Sequence, residues 1–374
     1  MNVIKKPADS RCPGIKLLRD NMSSKERYFI TGANGFIGGW LVETLFLHGI
    51  RDVKAGIRNW SSAARLSRFP VDIICCDILD KSQIAVAMKD VDIVIHCASG
   101  SEEIIVQGTE NMLDAALQSN LRGFVHLSTA EIYGNASGEI NETCPLSDSP
   151  SPYGRAKIEA EKICRAYGLK GLPISVIRPS IVYGPFSKDW TVRLAERLRS
   201  GDWGKFQGIG QGICNLIYIS DLVSGILLAA HAKAAIGEAF NMVGPDLLTW
   251  NEYFLRFNAA LGLPELKVIP QQKARLRARL VSPLRAYAKF AKARFEKPLR
   301  NIAQKYRPAK TIMKSLETKM KLAARMTDFS LYSRNAMYRS TKAENLLGFK
   351  PKFDLAAGLK LTAAWLDLHG LAKK

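Results

Sequence analysis

The octapeptide Thr31-Gly32-Ala33-Asn34-Gly35-Phe36-Ile37-Gly38 follows a short apolar run, Tyr28-Phe29-Ile30. It leads into a helical pattern with Leu41, Leu45 and Phe46 on one face, closed near Gly49. Gly32, Gly35 and Gly38 therefore form a GxxGxxG turn between a strand and a helix. Missing side chains let the backbone approach a ligand closely. A helix N-terminus adds unpaired N–H groups and a partial positive charge, which together suit a pyrophosphate. A lone glycine triplet is weak evidence; the strand–turn–helix context gives it weight.

The rest of the first half repeats the same alternation. Val53–Ile57, Val71–Cys75, Val91–His96, Gly123–Leu127 and Ile174–Ile177 read as strands, with helical segments at 82–89, 104–119 and 154–168 between them. Strands rich in Val and Ile that alternate with helices predict an α/β fold with a parallel sheet covered on both faces. No internal repeat is present. After Pro185 the pattern turns irregular, as a second lobe would, and Ala343 to Gly370 reads as two helices around Gly348-Phe349-Lys350-Pro351. The expected organisation is a flexible arm over 1–25 and a dinucleotide-binding domain over 26–184 to which 212–243 returns. A substrate lobe is expected from 185–211 and 244–374.

The residues after the second strand bear on the cofactor. NAD-binding folds usually carry an acid there for the ribose 2′-hydroxyl. Here Arg58 follows Ile57, and Asn59, Ser61, Ser62 and Arg65 come next. A cation among hydroxyls suits a 2′-phosphate, so NADP is expected, with NAD as the alternative. Asp77 and Ile78, after the third strand, stand where an adenine would be met.

Tyr153 and Lys157 make a YxxxK pair after Pro152. On a helix, an i, i+4 pair shares one face. A phenol with an ordinary pKa near 10 is a poor base at neutral pH, and an adjacent ammonium is expected to lower that value. Ser128-Thr129, after the fifth strand, offers a hydroxyl that could hold a substrate oxygen beside the tyrosine.

Taken in order, these segments resemble the extended short-chain dehydrogenase/reductases, in their NAD(P)-dependent epimerase/dehydratase branch. The matching segments are TGANGFIG, Asp77-Ile78, His96-Cys97-Ala98-Ser99, STAEIYG at 128–134, YGRAK at 153–157, RPSIVYGP at 178–185, Asp221 within the 219–222 segment and LLGFKP at 346–351. The resemblance implies a Rossmann doubly wound parallel sheet with a smaller C-terminal substrate-binding lobe. It implies Tyr153 as acid/base, Lys157 as a catalytic residue that also binds the nicotinamide ribose, and Thr129 as the hydroxyl member. Gly32, Asn34, Gly35, Phe36, Ile37, Gly38, Arg58, Asp77, Ile78, Ala98 and Pro179 are the implied cofactor residues. Glu131 corresponds to a glutamate that acts as a base or contacts the sugar in such relatives. Ala130 stands where hexose dehydratases place Asp or Ser, which removes an acid for expelling water.

The implied chemistry is transient oxidation at a hydroxyl-bearing carbon, most simply of a nucleotide- or lipid-linked sugar by an epimerase or dehydratase. A ketoreductase or hydroxysteroid-type dehydrogenase and a non-catalytic cofactor-binding scaffold remain alternatives. Relatives of this type often form homodimers through a bundle that includes the YxxxK helix, so a homodimer is expected.

Charge is the last constraint. Of 374 residues, 54 are Lys or Arg and 34 are Asp or Glu, a net +20. Segment 266–326 holds 18 Lys and Arg against Glu296 and Glu317, a net +16, so the remainder is nearly neutral. Within it Leu276, Leu280, Leu284, Tyr287, Ala291 and Phe295 recur every three or four residues among Arg275, Arg277, Arg279, Lys289 and Lys292. A basic amphipathic helix suits an anionic membrane surface, and no nucleic-acid motif accompanies it. The longest apolar run, Leu222 to Ala230, is too short to span a bilayer. The N-terminus carries no signal-peptide pattern. The seven cysteines at 12, 75, 76, 97, 144, 164 and 214 form no CxxC pair, and the five histidines have no metal-ligand spacing. Reduced thiols, no metal and a cytoplasmic enzyme peripheral to the membrane are expected.

Overall fold

The computed structural model describes residues 25–146, 151–285, 287, 294, 318 and 320–371. The expected arm over 1–25 lies outside them but for Lys25. The chain divides into two compact units.

Unit 1 comprises residues up to Val182, Leu216–Pro245 and Tyr338–Phe353. Its centre is a sheet of seven strands: β1 (Tyr28–Thr31), β2 (Val53–Ile57), β3 (Asp72–Cys75), β4 (Ile93–His96), β5 (Gly123–Leu127), β6 (Ile174–Pro179) and β7 (Ala239–Met242). The strand order is β7-β6-β5-β4-β1-β2-β3, and every pairing is parallel. This is the parallel sheet expected from the alternation, in the doubly wound order that the resemblance implies. β1 lies between β2 and β4, with Tyr28 opposite both Val53 and Ile93. All four β1 residues are buried, which is why the strand is a continuous apolar run.

The connecting helices are α1 (Phe36–Leu47), α2 (Lys81–Met88), α3 (Glu102–Leu117), α4 (Pro152–Gly168) and α5 (Ile219–His231). Side-chain oxygens start three of them. Asp80 accepts from Ser82 N and Gln83 N, Ser101 from Ile104 N, and Ser151 from Gly154 N, with Pro152 taking the first helical position. Phe29, Val94, Phe124 and Ile174 of the sheet share one core with Met112 and Leu113 of α3. The apolar run Leu222 to Ala230 is buried inside α5, so its hydrophobicity serves packing.

The segment Tyr338–Phe353 belongs to unit 1, although the sequence pattern groups it with 244–374. The buried Asp221 carboxylate accepts from Lys352 N and Phe353 N, at 3.0 Å each. The Ser340 hydroxyl accepts from Val243 N. Both ties are long-range, so no local signal announces them.

Unit 2 comprises Tyr183–Asn215, Asp246–Met337 and Asp354–Lys374. A parallel pair of strands, Gly204–Phe206 with Lys267–Ile269, packs with the helix Trp250–Ala260, which carries a Thr249/Glu252 capping box. Trp203, Phe206, Trp250, Phe254 and Tyr332 stack into an aromatic core. A helix runs over 271–285. Ala291 and Phe295 of the expected apolar stripe lie outside the described residues.

Candidate active site

The site is built where the strand order reverses, between β1 and β4, as ligand crevices of open parallel sheets are. Gly32 ends β1 with φ +63°, and a Cβ there would stand 3.0 Å from the Ala98 backbone after β4. A Cβ at Gly38 would stand 2.4 Å from the Gly32 carbonyl oxygen. Any other residue would push the start of α1 away from β1 and close the space that the loop leaves open. That space is a cavity of about 540 Å³ within unit 1.

Gly32, Asn34, Gly35, Phe36, Ile37 and Gly38 line one wall. Arg58, Asn59 and Ser62 line the end beyond β2, and Asp77 and Ile78 the end beyond β3. Ala98, Tyr153 and Lys157 line the side toward β4 and α4. Asp77 accepts from Leu79 N, which fixes its carboxylate at the rim. The cradle and the backbone donors fit a dinucleotide, with the Arg58 cation, the Asn59 amide and the Ser62 hydroxyl at one end. Pro179 lies on β6, paired with Met242, and is not among the lining residues. Arg65, adjacent in sequence to the hydroxyl cluster, turns away: it pairs with Glu43 at 3.2 Å and reaches the Phe36 carbonyl.

Thr129, Tyr153 and Glu131 meet beside this cavity. Thr129 is hydrogen-bonded to the Tyr153 phenol, and the Glu131 carboxylate is close enough to act on it electrostatically. Thr129 also accepts from Glu131 N at 3.2 Å, and the Ser151 hydroxyl donates to the Glu131 carboxylate. Glu131 is therefore held by the residue that caps α4.

The electrostatics differ from the sequence expectation. Partial desolvation, in a residue still 39% exposed, and the Glu131 charge together raise the Tyr153 phenol to about 12, and the Thr129 hydrogen bond offsets only part. The expected lowering by Lys157 is absent from this balance. Lys157 is itself buried, its Nζ donates to the Leu127 carbonyl at 2.6 Å, and burial lowers it to about 8. Sharing a helix face brought the pair to one cavity. It did not decide where the ammonium points.

Two histidines lie close enough to feel the charge of this lysine; His96 stands within a matching segment of the sequence with no role assigned to it there, and His126 stands in none. His96 and His126 are opposite each other on β4 and β5, with ring centroids 5.6 Å apart. Burial, then the Lys157 charge, pushes His96 down to about 3 and His126 well below its usual range. Both are neutral at physiological pH. His96 is bonded to Thr31 at 2.8 Å, and Thr31 accepts from Ala98 N. The His96-Cys97-Ala98-Ser99 segment was the available signal for His96; nothing local marks His126. Among the described residues no cluster could hold a metal ion, and no helix is long and apolar enough to cross a membrane.

Comparison with known proteins agrees with this geometry. An uncharacterised UDP-glucose epimerase of Bacillus subtilis (strain 168) is 28% identical over 252 residues, which cover 59% of this chain and 77% of that protein. A 3beta-hydroxysteroid-dehydrogenase/decarboxylase, isoform 1, of Arabidopsis thaliana is 25% identical over 370 residues, covering 89% of this chain and 78% of that one. The fold is shared with the crystal structure of a Bacillus cereus UDP-glucuronic acid 4-epimerase in complex with NAD. The TM-score is 0.68 at 21% identity, over 91% of this chain and 96% of that one. A model of the NAD dependent epimerase/dehydratase family matches residues 28–243, more than half of the chain, and the protein belongs to that family.

Proposed function

We propose that this enzyme oxidises a hydroxyl-bearing carbon of a nucleotide- or lipid-linked sugar, as an epimerase or a dehydratase. The observation that carries this reading is that Tyr153 and Lys157 line the glycine-loop cavity while Thr129 is hydrogen-bonded to Tyr153. A nicotinamide dinucleotide, when bound, would supply the hydride acceptor and, when oxidised, a positive charge. Tyr153 takes or returns the proton of the substrate hydroxyl, and Thr129 hydrogen-bonds the same oxygen. With its phenol raised to about 12, Tyr153 rests protonated, so it must give up that proton before it can take one from the substrate hydroxyl, a loss that the charge of an oxidised nicotinamide would favour. Lys157 holds the nicotinamide ribose and counters charge on the phenolate. Glu131, fixed by Ser151, is the second proton-handling group. Ala130 brings no acid, which favours epimerisation over loss of water.

NADP is the cofactor we favour. Arg58, Asn59 and Ser62 line the cavity end beyond β2, where a carboxylate would select NAD. Binding of NADP and NAD to the purified protein, followed by product identification on candidate nucleotide sugars, tests both points. An enzyme that requires added cofactor at every turnover would instead support the ketoreductase reading.

The same enzyme works, we propose, at an anionic membrane surface. On the helix over 271–285 and its continuation at Tyr287, Leu276, Leu280, Leu284 and Tyr287 are all more than half exposed and share one face. Arg275, Arg277 and Arg279 flank them. Each such cation is worth on the order of 1 kcal/mol near an anionic leaflet. Flotation with anionic and neutral vesicles tests this, and equal behaviour toward both would overturn it. A homodimer is the assembly the family resemblance suggests, and sedimentation equilibrium reads it directly.

A further inference from the structure

Unit 2 contains a second and larger cavity, of about 850 Å³, that the redox reaction does not use. It lies within the range of small-molecule sites, roughly 300–1,000 Å³. Its floor is apolar: Trp203, Phe206, Ala274, Ala278 and Ala323 are all buried. Its rim is cationic. Among the described lining residues, Lys267, Lys273 and Arg277 stand against a single carboxylate, Asp202, which accepts from Arg277 at 2.9 Å. One of the three cations is thus paired, and two positive charges are left at the mouth.

The cavity and the exposed apolar stripe share the helix over 271–285. Ala274 and Ala278, one turn apart, face inward to the cavity, while Leu276, Leu280 and Leu284 face out. Lys273 stands three residues before Leu276 and Arg277 three before Leu280, so both cations border cavity and stripe alike. An apolar chamber with a cationic mouth is complementary to one chemistry: a hydrocarbon chain that ends in an anionic head.

We propose that this cavity binds a single-chain amphiphile with an anionic head, its chain against Trp203, Phe206 and the two alanines and its head at Lys267 and Lys273. This goes beyond membrane docking, because such a ligand would bind with no bilayer present. It is also independent of the reaction at Tyr153.

Isothermal titration calorimetry on the full chain tests it with three probes: dodecyl phosphate below its micelle threshold, dodecyl maltoside and inorganic phosphate. The expected result is saturable one-to-one binding of dodecyl phosphate, about tenfold weaker binding of the uncharged maltoside, and none of phosphate alone. Ala278→Trp fills the chamber and should weaken dodecyl phosphate binding by about tenfold or more, with NADP binding unchanged. Val268→Trp, at an exposed rim position, is a second plug if Ala278→Trp does not fold. Lys267→Glu with Lys273→Glu should bring dodecyl phosphate down to the level of the maltoside. Absence of saturable binding, equal binding by a folded plugged variant, or equal binding of inorganic phosphate would each overturn the proposal.

Discussion

Lys157 Nζ lies 2.6 Å from the Leu127 carbonyl oxygen, at the end of the strand that leads to Thr129. The ammonium is thereby anchored to the sheet, and Tyr153 is left to burial and to Glu131, which hold its proton on. At rest the phenol is therefore protonated, and the ammonium is held on the sheet at Leu127.

Tyr153→Phe should lower turnover by about 10²–10⁴-fold, the usual worth of a positioned acid/base. Dinucleotide binding, followed by fluorescence, should change little. A variant that retains full turnover would remove the tyrosine from the chemistry.

Lys157 titrates near 8 in the folded chain against an ordinary value of 10.5. Between those values the unfolded chain binds more protons than the folded one. Stability therefore rises with pH through this window as far as this group is concerned, and the penalty is complete below it. Tyr153 acts oppositely, but only above its ordinary value of 10.0. The Tm of the wild type, measured relative to Lys157→Met, should climb between about pH 8 and pH 9.5. A difference that stays flat would show that the lysine is not desolvated.

Replacement of Arg58 by Asp should shift the ratio of kcat/KM for NADP over NAD toward NAD by about tenfold or more, through loss of a charge-assisted bond and gain of a ribose acceptor. Steady-state kinetics with both cofactors reads it. An unchanged ratio would mean that Arg58 meets no 2′-phosphate.

Arg178 and Glu161 form an ion pair in which each side chain is 8% exposed, and Arg178 also donates to Tyr133. Arg178→Ala strands the Glu161 carboxylate and should cost about 3–5 kcal/mol in denaturant unfolding. The double change to Met and Leu should cost much less, since no charge is left unpaired. A small loss in the single variant would indicate that water reaches the pair.

Leu280→Glu, at a side chain 62% exposed, should leave Tm nearly unchanged and weaken flotation with anionic vesicles. If flotation is unaffected, the stripe does not meet the membrane.

The sheet was legible for a simple reason. Strands buried on both faces are largely apolar, and a glycine triplet between strand and helix has few other uses, so β1, β2, β4, β5, β6 and the dinucleotide loop stand out in one dimension, while the edge strand β3 shows only its Ile73-Ile74 pair. β7 was harder, because Ala239–Met242 is a short edge strand with a polar Asn241 inside it. The YxxxK spacing likewise announced a shared helix face. It could not report that Lys157 would bond to Leu127, because that contact spans 30 residues.

Periodicity and motif order by themselves determined the α/β fold class and singled out the glycine loop, and the resemblance they carry pointed to Thr129, Tyr153 and Lys157 as site residues. They also confined the charge to one segment. Only the tertiary structure decided which residues act on one another. Arg65 turns to Glu43 and leaves the cavity end to Arg58, and the 338–353 segment joins unit 1 through Asp221. The basic helix hides two alanines over a chamber while its leucines face out. Such outcomes depend on long-range burial, and the desolvation that sets Tyr153 near 12 and Lys157 near 8 exists only once the chain has closed around them.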